Sequence, residues 1–471
     1  MRKTKIICTI GPASESEEKL RALIEAGMDV ARFNFSHGTY EEHKAKFKRL
    51  VRLRREMGRP VATLMDTKGP EIRLRDFEGG KVMLERGETF TLTTEEVMGT
   101  AQRATISYKG LVNDVRKDSC ILIDDGLIEL RVDSVTDTEI HCTVINGGPV
   151  SNHKGVNVPG ADLSMPFISE QDRSDIEFGC KMGYEYIAAS FVRTADDVRE
   201  IRKILDQFGS RMKIIAKIES TQGVNNIDEI LDEADGVMVA RGDLGVEVPL
   251  EEVPVYQKHI IHLAEIRGKI VVTATQMLDS MMHNPRPTRA EATDVANAIY
   301  DGTTAIMLSG ETASGSYPVE AVETMSRIAM AAENDVNYRK RFSKRYDEGE
   351  TDVTTAISHS TCMVARDINA RAIITVTMSG FTALQISKYK PLCPIVACSV
   401  SEPVACQMNL FFGVIPQNIP QEDNEEMLFE AAVMAAKNAG YAEKGDKVVL
   451  TAGLPLGEAG NTNMVRVVEV F

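Results

Sequence analysis

Lys217 and Glu219 stand two residues apart in AKIES, at the end of an apolar run that starts at Lys213. Side chains two apart on a strand point the same way. An ammonium and a carboxylate aimed at one point make either an ion pair or the edge of a site for an anionic substrate and a metal. Arg32, Arg73, Lys217 and Arg241 are of the types that recognise phosphate or carboxylate. Glu219 and Asp243 offer hard oxygen ligands for Mg2+ or Mn2+, which take one or two protein carboxylates beside water and substrate oxygens. Asn34, Ser36, Asp66 and Thr67 add oxygen donors that suit a monovalent cation. No histidine pair has zinc spacing. Neither G-x-x-x-x-G-K-[ST] nor G-x-G-x-x-G occurs, so a nucleotide would be held by other means.

The elements that must position these groups are short apolar runs at 5–10, 30–34, 61–65, 186–189, 213–216, 237–240, 270–273 and 305–308. Polar residues and then a helical pattern follow each run, which indicates a parallel sheet covered by helices. Residues 40–57 carry Phe47, Leu50, Leu53 and Met57 on one stripe. The segment 194–208 opens on Thr194 and stops at Gly209, and 288–300 opens on the capping box Thr288/Glu291. Eight strands alternating with helices predict a (β/α)8 TIM barrel, whose chemistry sits at the C-terminal strand ends. Those ends carry Gly11 and Pro12; Arg32, Asn34, Ser36 and His37; Asp66, Thr67, Lys68, Glu71 and Arg73; Ser190 and Arg193; Lys217 and Glu219; Arg241, Gly242 and Asp243; Thr275 and Gln276; Ser309 and Glu311. A lone Lys-x-Glu is ordinarily a structural pair. Polar groups at every strand end, converging on one face, favour a site.

Two segments depart from the barrel pattern. Residues 70–165 bring their own strand signals at 89–92, 120–123, 128–132 and 140–144, and predict an inserted β-barrel domain able to act as a lid. Residues 337–352 are almost wholly polar and read as a linker or a frayed helix end. Beyond them the alternation resumes and predicts a C-terminal open α/β domain. The expected division is 1–69 with 166–340, then 70–165, then 341–471. In TMSGFTA, Thr377, Ser379, Gly380 and Thr382 join a strand to a helix, where a phosphate could be bound under the Gly-rich loop 451–463. An ordinary cap and surface loop is the alternative.

Composition narrows the field. The chain has 471 residues and a net charge of −15, which argues against nucleic acid and anionic membranes as partners. No apolar stretch approaches the ~20 residues that span a bilayer. The eight cysteines include no C-x-x-C and the N-terminus reads as a strand, so a cytoplasmic location is expected.

The motif series TKIICTIGPAS, RFNFSHG, DTKGPEIR, KGVNVPG, AKIES, ARGDLGVE, ATQMLDSMMHNPRPTRAE and LSGETASGSYP resembles that of the pyruvate kinase family, from residue 3 to about 330 and more weakly beyond. The resemblance implies transfer of a phosphoryl group from phosphoenolpyruvate to ADP, giving pyruvate and ATP. It implies that Glu219 and Asp243 hold the divalent cation and that Asn34, Ser36, Asp66 and Thr67 hold K+. Lys217 would neutralise charge on the phosphoryl group and the enolate, and Arg32 would grip the phosphate. Ala240, Gly242 and Thr275, beside Arg241 and Asp243, would line the substrate pocket, with Thr275 where the enolate is protonated directly or through water. Pro12, Asn34, His37, Arg73, Lys154 and Asn157 would touch the nucleotide.

In this family a glutamate at the position of Glu71 goes with K+ dependence; pairing with Arg73 or Lys68 is the plainer alternative. Ser314 stands where many relatives have lysine. Thr377, Ser379, Gly380 and Thr382 correspond to an allosteric phosphometabolite site, and Met378, in place of a lysine, leans toward AMP or a hexose monophosphate. The resemblance also implies a homotetramer, and the chain's ends look bacterial, without an N-terminal extension or an additional C-terminal domain. A mutase, aldolase or decarboxylase acting on the same acids needs no nucleotide, which the inserted domain with Lys154 argues against. A non-catalytic sensor of phosphometabolites would have lost Lys217, Glu219, Asp243 or Thr275, and all four are present.

Overall fold

Alternation of side chains sorts the eight apolar runs into two packed layers. The computed structural model describes residues 1–338, 352–422, 424–455 and 460–471. Its first sheet is a closed parallel barrel of β1 (Lys5–Thr9), β2 (Val30–Asn34), β3 (Ala62–Asp66), β4 (Tyr186–Ala189), β5 (Lys213–Ile218), β6 (Gly236–Ala240), β7 (Ile270–Ala274) and β8 (Ala305–Leu308). Each strand pairs with the next and β1 closes on β8. One set of alternate residues, including Ile7, Val30, Leu64, Tyr186, Ile215, Met238 and Val272, fills the interior. The other set, including Ile6, Phe33, Met65, Ile187, Ile214 and Val239, packs under the helices. The inward row continues upward through Thr9, Arg32, Asp66, Ser190 and Lys217, so strand periodicity alone delivers these polar groups to the barrel mouth.

The helices begin as their sequences dictate. Thr39, Ser169, Thr194 and Thr288 each accept a backbone N–H three residues on, and Glu42, Asp172, Asp197 and Glu291 bond back. Between β3 and β4 the chain forms a seven-stranded sheet with its own core, built on Phe90, Leu92, Ile121, Leu130 and Val132. A bridge between Leu74 and Ile106 joins the two ends of that sheet, which curls it into a barrel. The strands Ile72–Arg73, Lys81–Leu84, Arg103–Thr105, Gly148–Ser151 and Gly155–Asn157 went unread in the sequence because they are short and lack a sustained alternation.

The C-terminal sheet has five strands, ordered Val414–Asn418, Ile395–Ser399, Ala372–Val376, Lys447–Ala452 and Met464–Glu469, with only the last antiparallel. The helix Glu402–Met408 and the strand Val414–Asn418 were also unread; proline and polar residues interrupt both. The expected linker, apart from Asn337, Tyr338 and Asp352, lies outside the described residues, as does the boundary at 340 and the tip of the 451–463 loop. Among the described residues no helix is long and apolar enough to cross a membrane.

Candidate active site

At the mouth of the barrel, Lys217 is the hub. Its Nζ lies 2.7 Å from Ser190 Oγ, 3.1 Å from Asp66 Oδ1 and 3.0 Å from Glu219 Oε1. Burial disfavours the ammonium, but Asp66 and Glu219 outweigh that and raise its pKa. Asp66 is buried too. Burial alone would push its carboxyl up, yet Arg32 and Lys217 hold it below the usual carboxylate range. Arg32 donates from Nε to Asp66 Oδ2 at 2.6 Å and from a terminal nitrogen to Thr9 Oγ1 at 2.9 Å. Three strands thus fix one guanidinium and one ammonium side by side.

Glu219 is fully buried. Its Oε2 accepts the Phe191 N–H at 2.6 Å, with Phe191 held at φ 56°. Its Oε1 touches the Lys217 ammonium without an aligned hydrogen bond. Burial pushes this carboxyl up to about 7, with Lys217 opposing and Asp243 adding to the shift. Glu219 is therefore a carboxylate short of positive charge, and Asp243 lines the same cleft. This donor set fits a divalent cation held by two carboxylates. Asn34, Ser36, Asp66 and Thr67 share one wall of that cleft with His37, Glu71 and Arg73. Asn34 Oδ1 accepts the Ser36 N–H at 3.1 Å, and Thr67 Oγ1 accepts the Ser190 N–H at 3.1 Å. The set presents hard oxygens, which fits a monovalent cation.

Beyond β7 the chain turns through Thr275 at φ 68° and Gln276 at φ 52°, a costly pair of conformations for side chains of their size. Thr275 Oγ1 accepts the Gly242 N–H at 2.8 Å and donates to the Ala274 carbonyl at 2.6 Å. Arg241 corrects the expectation that it faces a substrate anion. Its guanidinium pairs with Asp294 at 2.7 Å and donates to the Ala274 and Thr275 carbonyls at 3.2 and 2.7 Å. Alternation along β6, with Met238 inward and Val239 outward, already turns Arg241 away from the barrel interior, and from there its guanidinium clamps the Thr275 turn. Ala240 is buried directly before it.

The inserted domain brings Arg73, Lys154 and Asn157 to the cleft above Asp243. Lys154 pairs with Asp124 at 2.8 Å, and Arg73 Nε pairs with Glu71 at 2.8 Å. Glu71 thus makes the plainer contact anticipated for it, with Lys68 farther off at 4.0 Å. His37 is exposed on the rim, and Pro12 is exposed outside the residues that line the cleft.

The second candidate site is already partly satisfied from within. Thr377 Oγ1 accepts the Gly380 N–H at 3.0 Å, Ser379 Oγ accepts the Phe381 N–H at 3.4 Å, and Thr382 Oγ1 bonds Thr462 Oγ1 at 2.9 Å. The four residues do meet at one helix start, Gly380 at φ 82°.

Three residues escaped the sequence reading. Ser190, noted only as a polar strand end, is the closest partner of Lys217. Glu247 meets Asn157 across the cleft at 3.0 Å. His43, buried and stacked on Phe35 with centroids 4.2 Å apart, bonds the His37 carbonyl at 2.9 Å. Only Ser190 carried a signal, its place two residues beyond the inward Ala188.

Comparison with known proteins accounts for this arrangement. Residues 1–322 match the barrel domain of pyruvate kinase and residues 355–468 its alpha/beta domain. The chain is 51% identical over 469 residues to the pyruvate kinase of Geobacillus stearothermophilus, covering 99% of this chain and 80% of that relative. It is 49% identical to the pyruvate kinase of Clostridium acetobutylicum, over 99% of both chains. A crystal structure of a pyruvate kinase from Cryptosporidium parvum superposes with a TM-score of 0.95 at 39% identity, covering 100% of this chain and 96% of that one. Full-length similarity at this level, with both domains matched in order, means that the chain belongs to the pyruvate kinase family.

Proposed function

We propose that this protein transfers the phosphoryl group of phosphoenolpyruvate to ADP, giving pyruvate and ATP, the last step of glycolysis. The observation that carries the reading is the Lys217 ammonium held among Asp66, Ser190 and Glu219 at the inward tips of β3, β4 and β5. Phosphoryl transfer asks a protein for alignment and spread positive charge more than for covalent help. Arg32 binds the phosphate and orients it toward the incoming ADP oxygen. As the bond to the enolate oxygen breaks, Lys217 stands beside both the moving group and the charge left behind. The Thr275 turn, with Ala240 and Gly242, receives the carboxylate beside Asp243 and its cation, and Thr275 supplies, directly or through water, the proton that turns enolate into pyruvate. Asn34, His37, Arg73, Lys154 and Asn157 hold the nucleotide; Pro12 completes that set through the family likeness alone.

Glu219 and Asp243 would hold Mg2+ or Mn2+, and Asn34, Ser36, Asp66 and Thr67 would hold K+; when bound, these ions add positive charge around the phosphate oxygens. Although Glu71 also pairs with Arg73, the family likeness at this position supports K+ as the activating ion, and full activity in buffer free of K+ and Na+ would count against that assignment.

We further assign Thr377, Ser379, Gly380 and Thr382 to a phosphorylated effector such as AMP or a hexose monophosphate, supported by their meeting at one helix start. Titrating such effectors against the phosphoenolpyruvate saturation curve tests it; a curve that none of them shifts removes the assignment. Family likeness likewise supports a cytoplasmic homotetramer divided near residues 69, 165 and 340.

The deciding experiment is a coupled assay for pyruvate from phosphoenolpyruvate with and without ADP. Pyruvate formed only with ADP is expected. Pyruvate formed without ADP would mean that water takes the phosphoryl group, and no pyruvate under either condition would favour a mutase, an aldolase, a decarboxylase or a sensor.

A further inference from the structure

The helix after β6, Arg241–Glu247, carries Asp243 in its first turn and ends on Glu247. Both carboxylates line the cleft between the barrel and the inserted domain. Glu247 is poorly placed for its own helix. A negative charge at a helix C-terminus opposes the macrodipole. Burial pushes its carboxyl up, and the charge of Asp243 pushes the same way. What offsets these costs lies across the cleft. Glu247 Oε1 accepts from Asn157 Nδ2 at 3.0 Å, and the nearby Val158 backbone also favours the charged carboxylate. Asn157 ends the strand Gly155–Asn157, which is paired on both sides within the inserted sheet. The Glu247 carbonyl in turn accepts Thr221 Oγ1 at 3.1 Å, and Thr221 starts the helix two residues past Glu219.

We propose that Glu247 is a positioning residue that fastens the inserted domain onto the barrel and fixes the Asn157 amide for the nucleotide. One residue then ties together the Lys217–Glu219 strand end, the Asp243 helix and the exit strand of the inserted domain. The inference rests on the nucleotide-binding reading of Asn157. It makes nucleotide affinity, more than affinity for the three-carbon acid, depend on this contact.

The test compares Glu247→Ala, Glu247→Gln, Asn157→Ala and the double Ala variant in the full-length protein. Glu247→Ala is expected to raise KM for ADP about tenfold, the scale of one charge-assisted hydrogen bond, with little change in KM for phosphoenolpyruvate or in Tm. Glu247→Gln keeps an accepting oxygen and should return to within about threefold of wild type by the same reasoning. Asn157→Ala should add nothing in the Glu247→Ala background. An unchanged KM for ADP, a Gln variant no better than Ala, or additive losses would overturn the proposal, as would parallel rises in both KM values with a fallen Tm. Limited proteolysis between residues 158 and 166 reads the tether without turnover. Faster cleavage in Glu247→Ala than in wild type or Glu247→Gln is expected, and equal rates would sink the tether. If wild type makes no pyruvate with ADP, the functional reading fails, and the proteolysis still judges the contact.

Discussion

A buried ammonium survives only where nearby negative charge outweighs the loss of water, and at Lys217 the Asp66 and Glu219 carboxylates, with the Ser190 hydroxyl, do so. Its charged form is therefore favoured beyond that of a free lysine. Lys217→Met keeps the length and most of the volume while removing the charge. It should fold, still bind Mg2+, and lose well over tenfold in kcat, since tenfold is only ~1.4 kcal/mol of transition-state stabilisation. Turnover above about a tenth of wild type would refute the role. His43 makes a second residue-level prediction. Burial lowers its pKa; the His37 carbonyl and Glu42 raise it, and Lys46 lowers it further. The unfolded chain, near 6.5, therefore takes up a proton first as pH falls. Stability held above that value is lost below it. Between pH 7.5 and 5.5, Tm should fall more steeply in wild type than in His43→Gln, and parallel slopes would clear His43. Legibility at this scale followed direction. Lys217 and Glu219 were readable because strand alternation fixes where they point. Arg241 departs from the expected role for the same reason: it continues the outward set of Val237 and Val239, and only the identity of its partner, Asp294, lies beyond what alternation tells.

Elements carry the next level of argument, because a strained turn persists only if its neighbours hold it. The Thr275–Gln276 turn is clamped by Arg241 on one side and followed by a loop tied to the capping box at 288–291. Glu291 accepts from Ser280 N at 2.7 Å and Ser280 Oγ at 2.6 Å, as well as from Thr288 N at 2.7 Å. It thus closes a helix start and the preceding loop with one carboxylate. Glu291→Ala should cost about 2 kcal/mol, the upper range for losing a cap, and lower kcat by loosening the turn that presents Thr275. Glu291→Gln, which keeps two acceptor lone pairs, should recover much of both. Thermal unfolding and steady-state kinetics on the pair check this, and an Ala variant with wild-type Tm would contradict it. The capping box was legible from Thr288 and Glu291 alone, and the eight barrel strands from their continuous apolar runs. What the runs could not give were strands such as the two-residue Ile72–Arg73 and the proline-interrupted Val414–Asn418, whose pairing is dictated by distant partners.

At the scale of the whole molecule, the barrel floor and the C-terminal domain share one core. Met408, Leu410 and Phe411 belong to the same buried cluster as Ile7, Val30, Leu64 and Tyr186. Polar contacts fasten its rim. Tyr186 donates to the Gln407 carbonyl at 2.5 Å, Gln407 to the Arg211 carbonyl at 2.8 Å, Asn409 to the Asp29 carbonyl at 2.9 Å, and Lys5 to the Val414 carbonyl at 2.7 Å. The turn proposed for the effector rests on this seam. A Cβ on Gly380 would meet Met408 at 3.1 Å and Phe411 at 3.4 Å, so that turn and the barrel floor press on the same two side chains. None of this was visible in the sequence, where residues 402–413 showed neither a clean helical stripe nor alternation. If the core is truly shared, the two bodies cannot unfold independently. Phe411→Ala opens a cavity at the seam and should cost ~3–5 kcal/mol, the range for emptying a buried phenylalanine site. Because the loss falls on both sides, calorimetry should show the whole endotherm move to lower temperature. A trace in which the larger barrel transition stays at its wild-type temperature while a smaller one moves alone would mean that the domains merely touch.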